Sequence, residues 1–262
     1  MKDFVAVGYA CMDIYDDLGK KYPTGNGVDV IAHLSKAGYD VALVSAVGDD
    51  TYGKEFIEFC EDMEFDTSHV HVEEGDTAQI HLSLIDGDRV HGKVIDGVLA
   101  NFSLTKEDRA FIKEFKYLHT DYFGRIYGML GEFQQAGCKI VFDFSSFIND
   151  KDFEMVAPYV DIGQISVEGF SQETKKIMQY MHCLGIKICI ATAGSQGALA
   201  YDGKNFYCQE ALDPQEIVNT VGCGDAFLAG FLMGDAASKP IEECLLLGAK
   251  SSQKIIQKFE PY

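Results

Sequence analysis

Short apolar runs alternate with amphipathic stretches along most of this chain, and that alternation leaves few architectures open. Phe4-Val5-Ala6-Val7, Val41-Ala42-Leu43-Val44, Tyr117-Leu118-His119, Lys139-Ile140-Val141-Phe142 and Ile186-Lys187-Ile188-Cys189-Ile190-Ala191 read as buried strands. Between them, spans near 27–37, 52–63, 105–114, 125–136, 171–183 and 224–235 read as helices. Ser103-Leu104-Thr105-Lys106-Glu107-Asp108 has the form of a helix start and Ala136-Gly137 that of a helix stop. Strand–helix alternation predicts an α/β domain over residues 1–262, with a mostly parallel sheet covered on both faces. Ligands of such sheets bind at the carboxyl ends of the strands, so the loops after strands carry the functional question.

One segment breaks the alternation. Thr77-Ala78-Gln79-Ile80-His81-Leu82-Ser83-Leu84-Ile85 has period two, meets Asp86-Gly87-Asp88, and resumes with Arg89-Val90-His91-Gly92. That is a hairpin signature. It is either an edge extension of the sheet or a lid over substrate, formed with Asp13-Ile14-Tyr15-Asp16. As a lid it spans about 11–24 and 76–98.

Charge narrows the partners. With 22 basic and 41 acidic residues the chain carries −19, which repels nucleic-acid backbones and anionic membranes. No apolar run approaches the ~20 residues of a membrane span. Met1 to Gly8 reads as a short strand rather than a signal peptide. The eight cysteines include no C-x-x-C pair, so neither a disulfide framework nor a zinc site is indicated, and a cytoplasmic protein is expected.

The strongest chemical signal is Thr220-Val221-Gly222-Cys223-Gly224-Asp225-Ala226-Phe227, ahead of a helical run of small and apolar residues. Glycines at a helix start leave backbone N–H groups unobstructed, and with the helix dipole they stabilise charge on a transferring phosphoryl group. Asp225 beside that anion hole is placed to take a proton from an attacking hydroxyl. The plain alternative is a Gly-rich turn with an acid in the first helical turn. A second loop, Thr192-Ala193-Gly194-Ser195-Gln196-Gly197, follows the strand 186–191 and lets a polyphosphate approach its backbone. Neither loop has the lysine of a P-loop. Third, Asp13, Gly25, Asn26 and Asp29 supply short polar groups able to bind vicinal hydroxyls, against a simpler reading as a helix cap with solvated acids. Asp50 is read as a helix cap.

Asp13, Gly25-Asn26-x-x-Asp29, Val47-Gly48-Asp49-Asp50-x-x-Gly53, Thr192-x-Gly194-x-x-Gly197 and Thr220-x-Gly222-Cys223-Gly224-Asp225 occur in the order found in the ribokinase-like (PfkB) carbohydrate kinases, which the chain resembles from about residue 4 onward. Within that family, Cys11 to Tyr15, Ser45 to Gly53, Asp66-x-Ser68-His69-Val70-His71 and Asp88-Arg89-Val90-x-Gly92 resemble the fructoselysine 6-kinase branch. The resemblance implies a three-layer α/β/α domain with a small β-sheet lid, and transfer of the γ-phosphoryl group of ATP, with Mg2+, to a primary hydroxyl. It implies Asp225 as general base, with the amides of Gly222, Cys223 and Gly224 as its anion hole. It implies Thr192, Gly194, Gly197 and Thr220 on the nucleotide side, and Asp13, Gly25, Asn26 and Asp29 on the sugar side. A homodimer through the lid is also implied, since an uncovered strand edge seeks a partner.

Three departures from the family pattern stand out. Asp29 replaces an asparagine, which puts an acceptor-only group beside the substrate. Asn219 replaces the acid before the terminal motif, which weakens the case for a monovalent cation. Ser166-Val167-Glu168-Gly169 stands where an Asn-x-x-Glu magnesium motif is frequent, leaving Glu168 as a metal ligand through water. Two kinase readings follow: an Amadori-sugar kinase making fructoselysine 6-phosphate, with Asp29 facing the ammonium group, or a kinase of a plain ketose, sugar acid or nucleoside. A non-catalytic sugar- or nucleotide-binding regulator is the third. Arg89 either reaches substrate on lid closure or pairs with a local acid. His69, His71, His81 and His91 read as exposed or packing side chains, and Lys250, Lys254 and Lys258 as a solvated face.

Overall fold

The apolar runs pair edge to edge around β1 (Lys2–Val7), whose residues Phe4 through Val7 are buried. The structure, a computed structural model, describes residues 1–85, 88–148 and 151–262, with the backbone alone at 84, 85, 88, 89 and 91. Among the described residues the other strands are β2 (Cys11–Tyr15), β3 (Lys20–Thr24), β4 (Val41–Gly48), β5 (Asp66–Glu73), β6 (Ala78–Ile85), β7 (Asp88–Ile95), β8 (Phe115–Asp121), β9 (Lys139–Asp143), β10 (Ile162–Ser166), β11 (Ile188–Thr192), β12 (Ala198–Tyr201) and β13 (Phe206–Gln209). The α-helices are α1 (Asn26–Lys36), α2 (Thr51–Asp62), α3 (Lys106–Ile112), α4 (Leu130–Gln135), α5 (Phe153–Val156), α6 (Gln172–Cys183), α7 (Cys223–Ala236) and α8 (Ile241–Ile255).

The large sheet has the order β13-β12-β11-β10-β9-β8-β1-β4-β5. It is parallel from β5 to β11, and β12 and β13 turn back antiparallel. Alternation along β1 divides the core in two. Phe4 and Ala6 face one apolar layer with Val28, Ile31, Phe227 and Phe231 of α1 and α7, while Val5 and Val7 face another with Phe111, Phe133 and Met178 of α3, α4 and α6. Three layers result. Helix α7 is apolar on all sides because it lies between the sheet, α1 and α8. Gly230 permits the close crossing with α8, since a Cβ there would lie 2.5 Å from the Leu247 carbonyl oxygen.

The period-two segment is not an extension of that sheet. Strands β6 and β7 pair antiparallel, and β6 lies parallel to β2 in a second sheet of order β3-β2-β6-β7. The turn expected at Asp86-Gly87 lies outside the described residues. Asp50 caps α2 through a 2.7 Å bond from the Gly53 amide and accepts from the Thr77 hydroxyl at 2.6 Å, tying α2 to the start of β6. His69 and His71 both bond the buried Asp108, and His69 stacks on Phe111. Lys250, Lys254 and Lys258 are exposed.

Helix α4 begins only at Leu130; the stretch before it forms two 3-10 turns, Tyr122–Gly124 and Tyr127–Met129, so the span predicted from 125 is shortened. All eight cysteines are free thiols. Among the described residues no helix is long and apolar enough to cross a membrane.

Candidate active site

Everything around Asp225 depends on how α1 begins. Gly25 has φ +151°, and a Cβ there would fall 1.8 Å from the Tyr9 carbonyl oxygen, so only glycine lets the chain cross Tyr9. The helix then opens on Asn26. Its amide nitrogen donates to Asp143 Oδ2 at 2.7 Å and to Asp225 Oδ1 at 3.0 Å. One NH2 group thus holds two carboxylates that are far apart in sequence.

Asp143 belongs to a polar row. Asp121, Asp143 and Gln164 are register partners across β8, β9 and β10, each buried near the carboxyl end of its strand. Burial pushes the Asp121 carboxyl up to about 7; the Gly124 amide, 2.9 Å away, opposes the shift and the charge of Asp143 adds to it. Burial also raises Asp143, against bonds from the Ser145 amide and Asn26. Two residues before Asp121, burial lowers the ring of His119 to about 3, so it is neutral near pH 7. Among the described residues neither ring nitrogen of His119, nor Asn26 Oδ1, nor Gln164 Oε1 has a hydrogen-bond partner. Buried polar atoms are normally satisfied, so these four atoms are left for water or a hydroxylated ligand to bond.

Gly222 precedes α7 with φ +73°, the left-handed conformation, and Pro261 packs where its Cβ would be, 2.5 Å from Pro261 Cβ. Asn219 holds the loop on both sides: its Oδ1 accepts from the Val221 amide at 3.1 Å and its Nδ2 donates to the Phe259 carbonyl at 2.8 Å. Asn219 therefore offers no carboxylate to a monovalent cation. The segment 259–262 continues to β3, where the Tyr262 hydroxyl donates to the Pro23 carbonyl at 3.0 Å. The Cys223 amide donates to the Thr220 carbonyl at a long 3.3 Å, and burial, with Asp225 nearby, pushes the Cys223 thiol up to about 11. The backbone amides of Gly222, Cys223 and Gly224 stand at the start of α7 beside Asp225.

The remaining expected sugar-side residues lie on or beside the small sheet. Asp13 is buried on β2. Asp29 is buried in the first turn of α1, and its Oδ2 accepts from the Thr24 hydroxyl at 2.8 Å. The Arg89 side chain lies outside the described residues. On the other flank, Gly194 (φ +50°) has open space around it. Gly197 (φ +93°) crosses β13, with a Cβ only 2.1 Å from the Gln209 carbonyl oxygen. The Thr192 hydroxyl donates to the Ile165 carbonyl at 3.4 Å. Glu168 is exposed beside this loop, its carbonyl accepting from Gln196 at 3.3 Å. Thr220 is exposed.

Asp121, Asp143, His119, Gln164 and the 259–262 segment belong to no motif of the sequence. Asp121 and Asp143 did carry a signal: each ends an apolar run, where ligands of parallel sheets bind. Gln164 sits in a strand whose apolar pattern is interrupted by Gly163.

The model of the pfkB family carbohydrate kinases matches residues 1–138 and 147–262. Fructoselysine 6-kinase of Escherichia coli (strain K12) is 32% identical over 98% of this chain and 98% of that protein. A fructosamine kinase of Bacillus subtilis (strain 168) is 26% identical over 95% of this chain and 89% of its own length. Among solved structures, Arabidopsis thaliana ribokinase complexed with ribose and ATP superposes with a TM-score of 0.86 at 18% identity, covering 99% of this chain and 94% of that one, which establishes the ribokinase-like fold. The chain belongs to the pfkB family of carbohydrate kinases and is an ATP-dependent sugar kinase.

Proposed function

We propose that this kinase phosphorylates the primary hydroxyl of an aminated ketose, fructoselysine, to fructoselysine 6-phosphate, with Asp225 as general base. The observation that carries the proposal is the Asn26 amide bridging Asp225 and Asp143, because it orients the Asp225 carboxyl at the start of α7. Asp225 takes the proton of the acceptor hydroxyl as its oxygen attacks, and the amides of Gly222, Cys223 and Gly224 meet the charge that builds on the transferring group. ATP with magnesium supplies the phosphoryl group. Thr192, Gly194, Gly197 and Thr220 hold the nucleotide flank, where Gly194 leaves room for a polyphosphate. Glu168, exposed beside the 192–197 loop, would join the phosphates in holding magnesium through water.

On the acceptor side, Asp13, Gly25, Asn26 and Asp29 line the sugar subsite, with Arg89 assigned to substrate binding as well. Burial disfavours the charged forms of Asp121 and Asp143, and a protonated amine brought beside them would restore the charge, in keeping with the two relatives named for fructosamine-type substrates. The test is ADP release from ATP–Mg against fructoselysine, fructose, ribose, a sugar acid and adenosine. The highest kcat/KM is expected on fructoselysine; preference for another acceptor would retain the kinase chemistry and discard this substrate.

The same proposal includes a homodimer through β7, an outer strand of the small sheet, where Val90 and Val94 are 43% and 53% exposed. A monomer in sedimentation equilibrium at micromolar concentration would count against it. Free thiols throughout fit a reducing, cytoplasmic setting.

A further inference from the structure

At this end of the sheet the chain exposes the aromatic side chains of Phe123 and Phe147 beside Tyr9, which is part-buried against Cys11, Ala46 and Ala78. Tyr9 follows β1, Phe123 follows β8 and Phe147 follows β9, so all three stand at the same end of the sheet as Asp121 and Asp143. The Tyr9 and Phe123 ring centroids are 5.7 Å apart, and those of Phe123 and Phe147 are 6.4 Å apart. The rings form a continuous strip, yet Phe123 is 53% and Phe147 is 47% exposed. Exposed rings in a row are costly unless something covers them.

The strip is anchored and its base is acidic. The Tyr9 hydroxyl donates to Asp96 Oδ1 at 2.8 Å, just beyond the end of β7, and Tyr122 beneath Phe147 adds an edge contact at 6.2 Å. Arg125, the nearby cation, faces Asp96 at 3.9 Å and donates to the Ala100 carbonyl at 2.7 Å. At the foot of the strip, Asp121 lies between Gly8 and Gly124: a Cβ on Gly8 would be 3.6 Å from Asp121 Oδ1, and the Gly124 amide bonds the same oxygen. A carboxyl first and aromatic faces beyond it make a surface suited to an amine followed by a methylene chain, the ammonium group itself favouring the charged form of Asp121.

We infer that Asp121 and the Tyr9–Phe123–Phe147 strip form a specificity subsite for a ketosamine whose C1 nitrogen carries an alkyl arm, with Asp121 facing the nitrogen and the rings covering the arm. This rests on the aminated-ketose function proposed above and adds where the non-sugar part lies. It also transfers the role of amine partner from Asp29, which is bonded to Thr24, to Asp121.

The experiment compares fructoselysine, 1-amino-1-deoxyfructose (the same amine without the arm) and fructose as acceptors for the wild type, for Phe123→Ala/Phe147→Ala and for Asp121→Asn. The double variant is expected to raise KM for fructoselysine about tenfold, in the range of lost aromatic contacts, and to leave the armless amine unchanged. Asp121→Asn is expected to raise KM for both amines and spare fructose. Equal losses on all three acceptors would show a merely structural role and overturn the inference, as would no change on any. A shift in sedimentation of the double variant would assign the rings to a subunit interface and also overturn it. If the wild type turns over neither amine but does use fructose, the proposed substrate fails and this subsite with it.

Discussion

Asp225→Asn should reduce kcat by at least about 10³-fold, within the range that a positioned general base contributes, while nucleotide binding stays within about twofold of wild type by the same logic of transition-state-only loss. Asparagine keeps the shape of the side chain and can still meet Asn26 after an amide rotation, so folding is not at stake. What disappears is the acceptor for the hydroxyl proton. Single-turnover phosphoryl transfer and ATP binding by calorimetry, measured side by side, separate the two effects. Near-wild-type transfer in this variant would remove Asp225 from the mechanism. Loss of ATP binding together with transfer would instead assign it to holding the nucleotide and magnesium.

The second large effect is expected at Asn26, a residue that has no proton to transfer. Asn26→Asp exchanges one NH2 group, now shared between Asp143 and Asp225, for a third carboxylate in a part-buried cluster. Two donors vanish and a like charge arrives; at 4 Å and an effective dielectric of 20 such a pair costs about 4 kcal/mol. The cluster responds by holding on to protons, and a protonated Asp225 cannot act as base. We expect kcat at pH 7 to fall about 10²-fold, as when a general base is disabled without being removed. The sign of the pH effect follows: because the base must be deprotonated, a raised affinity for protons moves the acidic limb of kcat/KM to higher pH, and activity recovers in part as pH rises. Asn26→Leu is the control, since it deletes the donors without adding charge; the limb there should move less. Identical profiles for the two variants would mean that Asn26 acts through packing alone.

These two residues also show what was legible in advance. Asp225 stood out because its neighbours are glycines at a helix start, and the consequence of that, exposed amides beside an acid, is a local property of seven consecutive residues. Gly25 and Gly197 were legible in the same way, although the reason for them was not: each crosses another backbone, at Tyr9 and at Gln209, and those partners come from other parts of the chain. The separateness of the small sheet was left open by the sequence, because a period-two hairpin pairs equally well with a sheet edge or with another strand. Only the parallel pairing of β2 with β6 decided it.

Asp121, Asp143 and Gln164 were not chosen beforehand, since each looks like the ordinary end or interior of a short strand. They become a site because three parallel strands stack them in one row, and because burial then changes their chemistry, raising two carboxyls that would be unremarked surface acids elsewhere. The aromatic strip arises likewise, from three loops that β1, β8 and β9 deliver to one edge.

What the sequence determined by itself was the alternation of elements, the two glycine loops and the acid poised at the start of α7, all of which depend on neighbours a few residues away. What the tertiary structure decided was which acids share an amide, which are stripped of water and what surrounds the acceptor, because hydrogen bonds 117 and 199 residues apart exist only once the strands have aligned.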